Sequence, residues 1–316
     1  MYHSQLPWVE LYRALQDLSD TDGDAYTALL QPWLAQQADE ARWPLEFARR
    51  TQQDWSAASG EDLCRLYAMF RVTSLLLLRF QQRRADAEDY AGPPVTAAGF
   101  LAFHEALGLR VPQTPAYHPF FHEIVGVETE PDPAAPVRVL GERWPALMLG
   151  DLLYLRAGCV VAAGAQHVVR TIAEHSTLYW TFWRRDRPCR DLSHGWGGNS
   201  QWRTDLRRDY RTPLAYHYNV DAREPLLAPG STVDAALMRE LLRHRGLIRT
   251  AADDSDLFPY RYTHTEAVDA TDGRADDPVG RGVDGEAAAT RASPSPKKIP
   301  AGAGIFSAIR RAFSRR

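Results

Sequence analysis

The sequence changes its periodicity near residue 111, and this change limits the folds that the chain can adopt. Before it, leucines recur at helical spacing, as at Leu11, Leu15 and Leu18, which predicts amphipathic helices. After it, prolines are frequent, and short β-branched runs such as residues 124–127 favour strands separated by turns. Helices followed by strands, without regular alternation, predict the α+β class rather than an alternating α/β fold.

Several elements can be predicted with their boundaries. Residues 59–62, which begin with Ser59, carry a helix-start signal for a helix over residues 63–80. A shorter helix is expected over residues 100–107. Ser231 is predicted to cap a helix over residues 233–244, and Gly246 follows its end. Strands are predicted over residues 124–127, 137–140, 159–161 and 177–183.

The composition divides the chain into four segments. After about Glu266 the sequence consists largely of Asp, Gly, Ala, Pro and Ser. Such a segment cannot bury enough apolar surface to offset the entropy of ordering it, so we predict disorder there. The predicted segments are a helical region over residues 1–110, an α+β region with the candidate site over 111–265, a disordered linker over 266–300 and a terminal helix over 301–316.

Charge and cysteine usage favour a cytoplasmic protein. The net charge of −3 gives no argument for a nucleic-acid partner. The three cysteines are odd in number and far apart, which disfavours a secreted disulfide framework, and the N-terminus has no signal-peptide pattern. Residues 144–165 are long enough to span a membrane, but Asp151 and Arg156 near their middle argue against a span.

Residues 305–316 restore helical periodicity at the end of the chain. A helix of twelve residues is marginal in water, so we expect it to fold against a partner. An anionic membrane surface suits a helix with one apolar and one cationic face. The apolar face is predicted to contain Ile305, Phe306, Ile309, Ala312 and Phe313, and the cationic face and its flanks Arg310, Arg311, Arg315 and Arg316.

In its pattern this tail resembles the membrane-targeting tails of bacterial cell-division ATPases, over twelve residues. The resemblance implies that the protein associates peripherally with the inner face of a membrane. Two alternatives stay open at this point. The tail could dock into a groove on a partner protein, such as a shell or scaffold, or it could dock back onto its own folded part.

A glycine-rich loop over residues 194–203 is the candidate ligand site. Three glycines in four positions allow close backbone approach, so the N–H groups of the loop can form a nest for an anion. A helix that begins near Asn199 or Ser200 would add positive potential, and Arg203 could clamp the same anion. The alternative is a surface loop whose Asn199 or Ser200 only caps a helix. The predicted ligand-binding residues are Gly197, Gly198, Asn199, Ser200 and Arg203.

Any catalysis at this site would need a general base, and three histidines are candidates: His175, His194 and His217. No complete catalytic motif is present, so the sequence leaves open whether the ligand is turned over. Nearly every basic residue is arginine, with lysine only at positions 297 and 298. A cluster of arginines is therefore weaker support for a ligand site here than in an average protein.

The sequence assigns no metal or cofactor. On a helix, His118 and His122 would share one face and could bind one ion. The β-branched residues that follow favour a strand instead, which would hold the two imidazoles about 13 Å apart. We therefore predict no metal site at these histidines.

Together these observations predict a cytoplasmic protein whose central region binds a small ligand carrying a phosphate or carboxylate group. Its tail would recruit it to a membrane surface. The alternative is a non-catalytic interaction or cargo-type protein whose tail docks into a partner protein or shell.

Overall fold

The structure, a computed structural model, describes residues 6–52, 54–82, 90–114, 116–190, 202, 204–230, 233–244 and 259–268. Five of the seven α-helices of this part precede residue 110, and all of its eleven strands follow it. The predicted α+β class, with helices first and strands later, is confirmed.

The helical region surrounds one buried helix. The α-helices are α1 (Leu6–Asp17), α2 (Gln31–Gln36), α3 (Ala38–Thr51), α4 (Gly60–Leu77) and α5 (Ala97–Ala106), with a π-helical turn at Tyr26–Leu30 and 3₁₀ turns at Trp55–Ala57 and Leu78–Phe80. Every residue of α4 from Leu66 to Leu77 is buried, as expected of a helix packed on all sides.

The start of α4 is fixed by a capping box, as the sequence predicts. The Ser59 hydroxyl accepts a hydrogen bond from the Asp62 backbone N–H at 3.2 Å, and the Asp62 carboxylate accepts one from the Ser59 N–H at 2.8 Å. These contacts satisfy two backbone donors at the helix start that would otherwise lack partners.

The strands form three sheets. Their bounds are β1 (His122–Thr129), β2 (Arg138–Trp144), β3 (Leu147–Leu149), β4 (Leu152–Leu155), β5 (Ala157–Ala163), β6 (Leu178–Tyr179), β7 (Cys189–Arg190), β8 (Asp209–Arg211), β9 (Ala215–Tyr218), β10 (Glu224–Pro225) and β11 (Tyr262–Ala267). One sheet has the order β1-β5-β2, a second has the order β10-β11-β9-β8-β4-β3, and β6 pairs with β7.

The two remaining helices lie among the strands: α6 (Arg170–His175) and α7 (Ala235–Arg243). The carboxylate of Glu174 on α6 accepts a hydrogen bond from the Val127 N–H of β1 at 2.9 Å, which anchors the helix to the three-stranded sheet. The largest apolar cluster contains residues of α1, α4 and α5 together with residues of β3, β4 and β8. Helices and strands therefore share one core.

Three local predictions need correction. Residues 177–183 do not form one strand: only Leu178–Tyr179 are extended in a sheet, and Trp180 and Trp183 have φ values of 51° and 61°. The helix predicted from residue 233 begins at Ala235, and Asp234 rather than Ser231 provides the cap for the Ala236 and Leu237 N–H groups. Ser231 and Gly246 lie outside the described residues.

The other strands are confirmed, because β1 and β5 cover residues 124–127 and 159–161, and β2 begins one residue after the start of the run at 137–140. Strand β11 continues to Ala267, one residue past the predicted start of the linker. Residues 269–316 lie outside the described part of the chain, so the linker and the terminal helix stay predictions. Among the described helices, none is long and apolar enough to cross a membrane.

Strand β5 passes directly beneath an indole ring. Gly158 pairs with Trp144 of β2, and a Cβ atom added to Gly158 would lie 2.4 Å from the ring. Gly158→Ala should therefore lower the free energy of unfolding by roughly 1–3 kcal/mol, because the indole must move within a packed sheet.

Gly141 in the neighbouring strand β2 gives a matched control, since an added Cβ there would meet nothing within 4 Å. Urea denaturation of Gly141→Ala should show a change within about 0.5 kcal/mol. Equal stability of the two alanine variants would contradict this packing.

Candidate functional site

An open pocket of about 1020 Å³, called the cleft below, lies between the three-stranded sheet, α6 and the segment that follows β6. Its floor is formed by β1, by Trp144 of β2 and by Val160 of β5, and one wall is formed by residues 184–188. Its ionisable lining residues are Glu123, Glu128, Arg143, Arg170, Glu174, His175, Arg184, Arg185, Asp186 and Arg187.

The centre of the cleft wall is a buried ion pair. Arg184 donates from Nε and Nη2 to the two carboxylate oxygens of Glu123, both at 3.0 Å, and its Nη1 donates to the Trp183 carbonyl. Burial alone would raise the pKa of Glu123, but the charge and hydrogen bonds of Arg184 hold that pKa below its usual value. Glu123 is therefore a carboxylate at neutral pH, and both of its oxygens are engaged.

Arg187 carries a second buried charge, and its hydrogen bonds go only to neutral oxygens. It donates to the Ile124 carbonyl, to the Ser176 carbonyl and to the Ser176 hydroxyl at 2.9–3.1 Å. Burial lowers its pKa to about 10, although the nearby Glu123 carboxylate acts in the opposite direction. Arg187 thus remains a cation at pH 7, with no carboxylate at ion-pair distance among the described residues.

The mouth of the cleft carries more exposed groups. Arg170 pairs with Glu174 across one turn of α6 at 3.1 Å, with the Arg170 side chain 62% exposed. Arg143, on β2, is exposed and has no ion pair within the described residues. His175 is exposed at the C-terminal end of α6 and lines the same opening.

A second, much smaller space of about 20 Å³ also borders the ion pair, and we call it the small pocket. Glu123 and Arg184 line both spaces, so the small pocket and the cleft meet at their ion pair. The other lining residues are Phe70, Leu155, Arg156, Leu178, Trp180, Thr181 and His244.

Arg156 is a second cation that lines the small pocket. It donates to the Pro119 carbonyl at 3.0 Å, and to the Asp209 carboxylate and the Arg243 carbonyl at 3.1 Å each. Within the described part of the chain, its Nη1 is buried without a hydrogen-bond partner, and so is the Nε1 of Trp180. Buried donors without partners are rare in folded proteins and call for an explanation.

Several predicted site residues can now be located. His175 lines the cleft, whereas His217 lies on β9, where it contacts the Thr265 hydroxyl and the Trp55 ring. His217 does not line the cleft, because its strand belongs to the six-stranded sheet. The other predicted residues lie outside the described part of the chain: His194, Gly197, Gly198, Asn199, Ser200 and Arg203.

The two metal candidates lie close together, so the separation of about 13 Å that one continuous strand would give is wrong. His122 is the first residue of strand β1, as predicted, whereas His118 lies in the preceding turn. The His122 Nδ1 contacts the backbone of His118 at 3.0 Å.

Sequence reasoning missed the residues that form the cleft wall. Neither Glu123 nor residues 184–187 are among the residues predicted from the sequence. A usable signal was the compact run Arg184-Arg185-Asp186-Arg187, which directly follows an aromatic segment. Charges placed beside such an apolar segment must either be exposed or find partners inside the fold.

Comparison of the sequence with protein-family models and with curated proteins, and of the structure with solved structures, found no match. The arguments about function therefore depend on the contacts described above.

The buried histidines predict a defined pH dependence. Burial, followed by the neighbouring Arg243, Arg156 and Arg187, lowers the pKa of His244 to about 3, and burial lowers that of His104 to about 4. In the unfolded chain both should bind a proton near pH 6.5. Stability should therefore fall as the pH drops below about 6.5, on the order of 2 kcal/mol per histidine at pH 5.

Urea denaturation at pH 7 and pH 5 measures this loss. We expect His244→Gln to reduce this loss by roughly 2 kcal/mol, because an imidazole whose pKa is strongly lowered in the fold is removed. His167 is exposed, so His167→Gln should retain the full loss. Equal free energies of unfolding at the two pH values would show that these imidazoles are not held neutral in the fold.

Proposed function

We propose that the cleft binds a small anionic ligand that carries a phosphate or carboxylate group. The observation that carries this proposal is the charge of the lining: five guanidinium groups face four carboxylates. Arg143 and Arg187 have no carboxylate at ion-pair distance within the described residues. An anion that enters the cleft would supply the missing partner.

The two unpaired guanidinium groups suit different roles. Arg187 is held rigidly by backbone carbonyls, so it contributes a fixed positive potential with little loss of entropy when a ligand binds. Arg143 is exposed, so its donors can reach a ligand directly and hold a phosphate or carboxylate in the bidentate manner that a guanidinium favours.

His175 is the candidate base that lines the cleft among the described histidines. It stands beside Glu174, which is already engaged with Arg170 and with the Val127 N–H. The described contacts support binding, and they identify His175 as the residue to test first for any turnover of the ligand. The predicted glycine loop follows Pro188 of the cleft wall by six residues and remains a second predicted contributor.

We further propose that the terminal amphipathic helix recruits the protein to an anionic membrane surface. This proposal is supported by the predicted amphipathic pattern of the helix, in which apolar residues form one face and arginines lie opposite or beside it. The apolar residues are Ile305, Phe306, Ile309 and Phe313, and the arginines are Arg310 and Arg311. Such a tail would hold the cleft near a membrane through a long polar linker. Capture of the tail by a partner protein is the alternative outcome of the test below.

Phosphate binding tests the cleft. The Tm of the full chain is measured in inorganic phosphate and in methanesulfonate at equal ionic strength and equal chloride concentration. It should be about 3 °C higher in phosphate. Arg143→Ala should weaken the apparent phosphate affinity about tenfold, because a charge-assisted hydrogen bond is lost.

Arg138→Ala is the matched control. Arg138 lies on the same strand, is exposed and pairs with Glu130 away from the cleft. Its removal should leave the phosphate-dependent shift intact. A phosphate shift that is absent, or that Arg143→Ala does not change, would show that the cleft is not the anion site.

Vesicle flotation tests the tail. The full chain should float with phosphatidylserine vesicles, and a chain that ends at Pro300 should stay in the dense fraction. Ile309→Asp should also abolish flotation, because it places a charge on the predicted apolar face.

Ser307→Asp adds the same charge off that face and should retain most of the binding. If the full chain and the truncated chain behave alike on anionic vesicles, membrane recruitment is wrong.

A further inference from the structure

The floor of the cleft contains a valine that lies between two glycines. Val160 is on β5, the central strand of the three-stranded sheet, and it pairs with Gly126 of β1 and with Gly141 of β2. Residues that pair across strands lie on the same face of a sheet. The isopropyl group of Val160 therefore has no side chain to pack against at either cross-strand position. We call this row of three residues the trough.

Val160 is also separate from the apolar core. It is half-buried and lines the cleft, and it belongs to none of the three apolar clusters of the described residues. Its neighbours along β5, Cys159 and Val161, are fully buried on the opposite face in a cluster that includes Ala173 of α6. Val160 thus offers apolar surface to a molecule that enters the cleft.

The glycines make the trough shallow and flat. A Cβ atom added to Gly126 would lie 3.4 Å from the nearest methyl group of Val160, and one added to Gly141 would meet nothing within 4 Å. A flat group can therefore lie against the valine and approach the backbone beside it. Glycine within a strand often marks such a close approach of a ligand.

A guanidinium group lies near the trough. Arg143 is two residues beyond Gly141 on β2, a separation of about 7 Å along a strand. It is exposed and lines the same cleft as Val160. An aromatic ring with an anionic substituent has a comparable length, so one small molecule can contact the valine and the guanidinium group together.

We propose that the ligand of the cleft is an aromatic anion, in which a flat ring carries the phosphate or carboxylate group. The anionic group pairs with Arg143, and the ring lies on Val160 in the gap that the flanking glycines leave. This inference rests on the proposed function, because it specifies the ligand of the same site. The arginines attract any small anion, whereas the trough selects one that also has an apolar face.

Two phosphate monoesters separate the contribution of the ring from that of the anion. Phenyl phosphate and methyl phosphate carry the same anionic group, and only the first has a ring. The Tm of the full chain, measured against the concentration of each ester at equal ionic strength, gives its apparent affinity. Phenyl phosphate should bind about tenfold more tightly, because one face of its ring is removed from water.

Val160→Thr tests the contact with the ring. Threonine keeps the β-branched shape that suits a strand and replaces one methyl group by a hydroxyl group. The variant should bind phenyl phosphate about fourfold more weakly and methyl phosphate as before. Val139→Thr is the matched control, since Val139 is half-buried on β2 and packs against the cluster on the opposite face. It should leave both affinities unchanged.

Gly126→Ala tests the shape of the trough by a different change. The added methyl group fills the gap beside Val160 and removes no apolar surface. It should reduce the preference for phenyl phosphate, because the ring can no longer lie flat, and it should retain the binding of methyl phosphate.

The outcomes distinguish this inference from the proposed function. If both esters raise the Tm with equal apparent affinity, the cleft is an anion site without a place for a ring, and the inference is wrong. If neither ester raises the Tm, the anion site is wrong and the inference fails with it. A tenfold preference that persists in Val160→Thr and in Gly126→Ala would place the ring elsewhere and also overturn the inference.

Discussion

The buried pairing of Glu123 with Arg184 is the interaction on which the rest of the site depends. Two charges removed from water are tolerated only when their hydrogen bonds are satisfied, and here both carboxylate oxygens and all three guanidinium nitrogens have partners. Since the pair forms a wall of both cavities, its geometry sets their shapes together. Loss of either partner would leave a buried charge unbalanced.

The placement of charge follows from the arrangement of strands and connecting segments. Strand β1 brings Glu123 into the three-stranded sheet, while residues 184–187 cross beside it in an irregular segment. An irregular segment can direct two side chains three positions apart into the same interior, which a strand cannot do because its side chains alternate between two faces. Arg184 and Arg187 are both buried for this reason, and Asp186 between them is exposed.

Local signals in the sequence predicted much of the fold but little of the site. The capping box at Ser59 and the β-branched runs of β1 and β5 were readable because neighbouring residues determine them. The aromatic run at 177–183 gave a wrong prediction of one continuous strand, since tertiary packing places Trp180 in a left-handed conformation against its strand propensity. The cleft was not predictable, because Glu123 and Arg184 are 61 residues apart and only the fold brings them together.

Arg156 has a consequence for how the chain is assembled during synthesis. Its guanidinium joins the Pro119 carbonyl, the Asp209 carboxylate and the Arg243 carbonyl, which are separated from it by 37, 53 and 87 residues. Contacts so distant along the chain form slowly, because long loops must close first. A growing polypeptide that has not yet produced α7 holds this cation without its last partner. The hydrogen bonds of Arg156 can therefore be completed only after α7 has been synthesised.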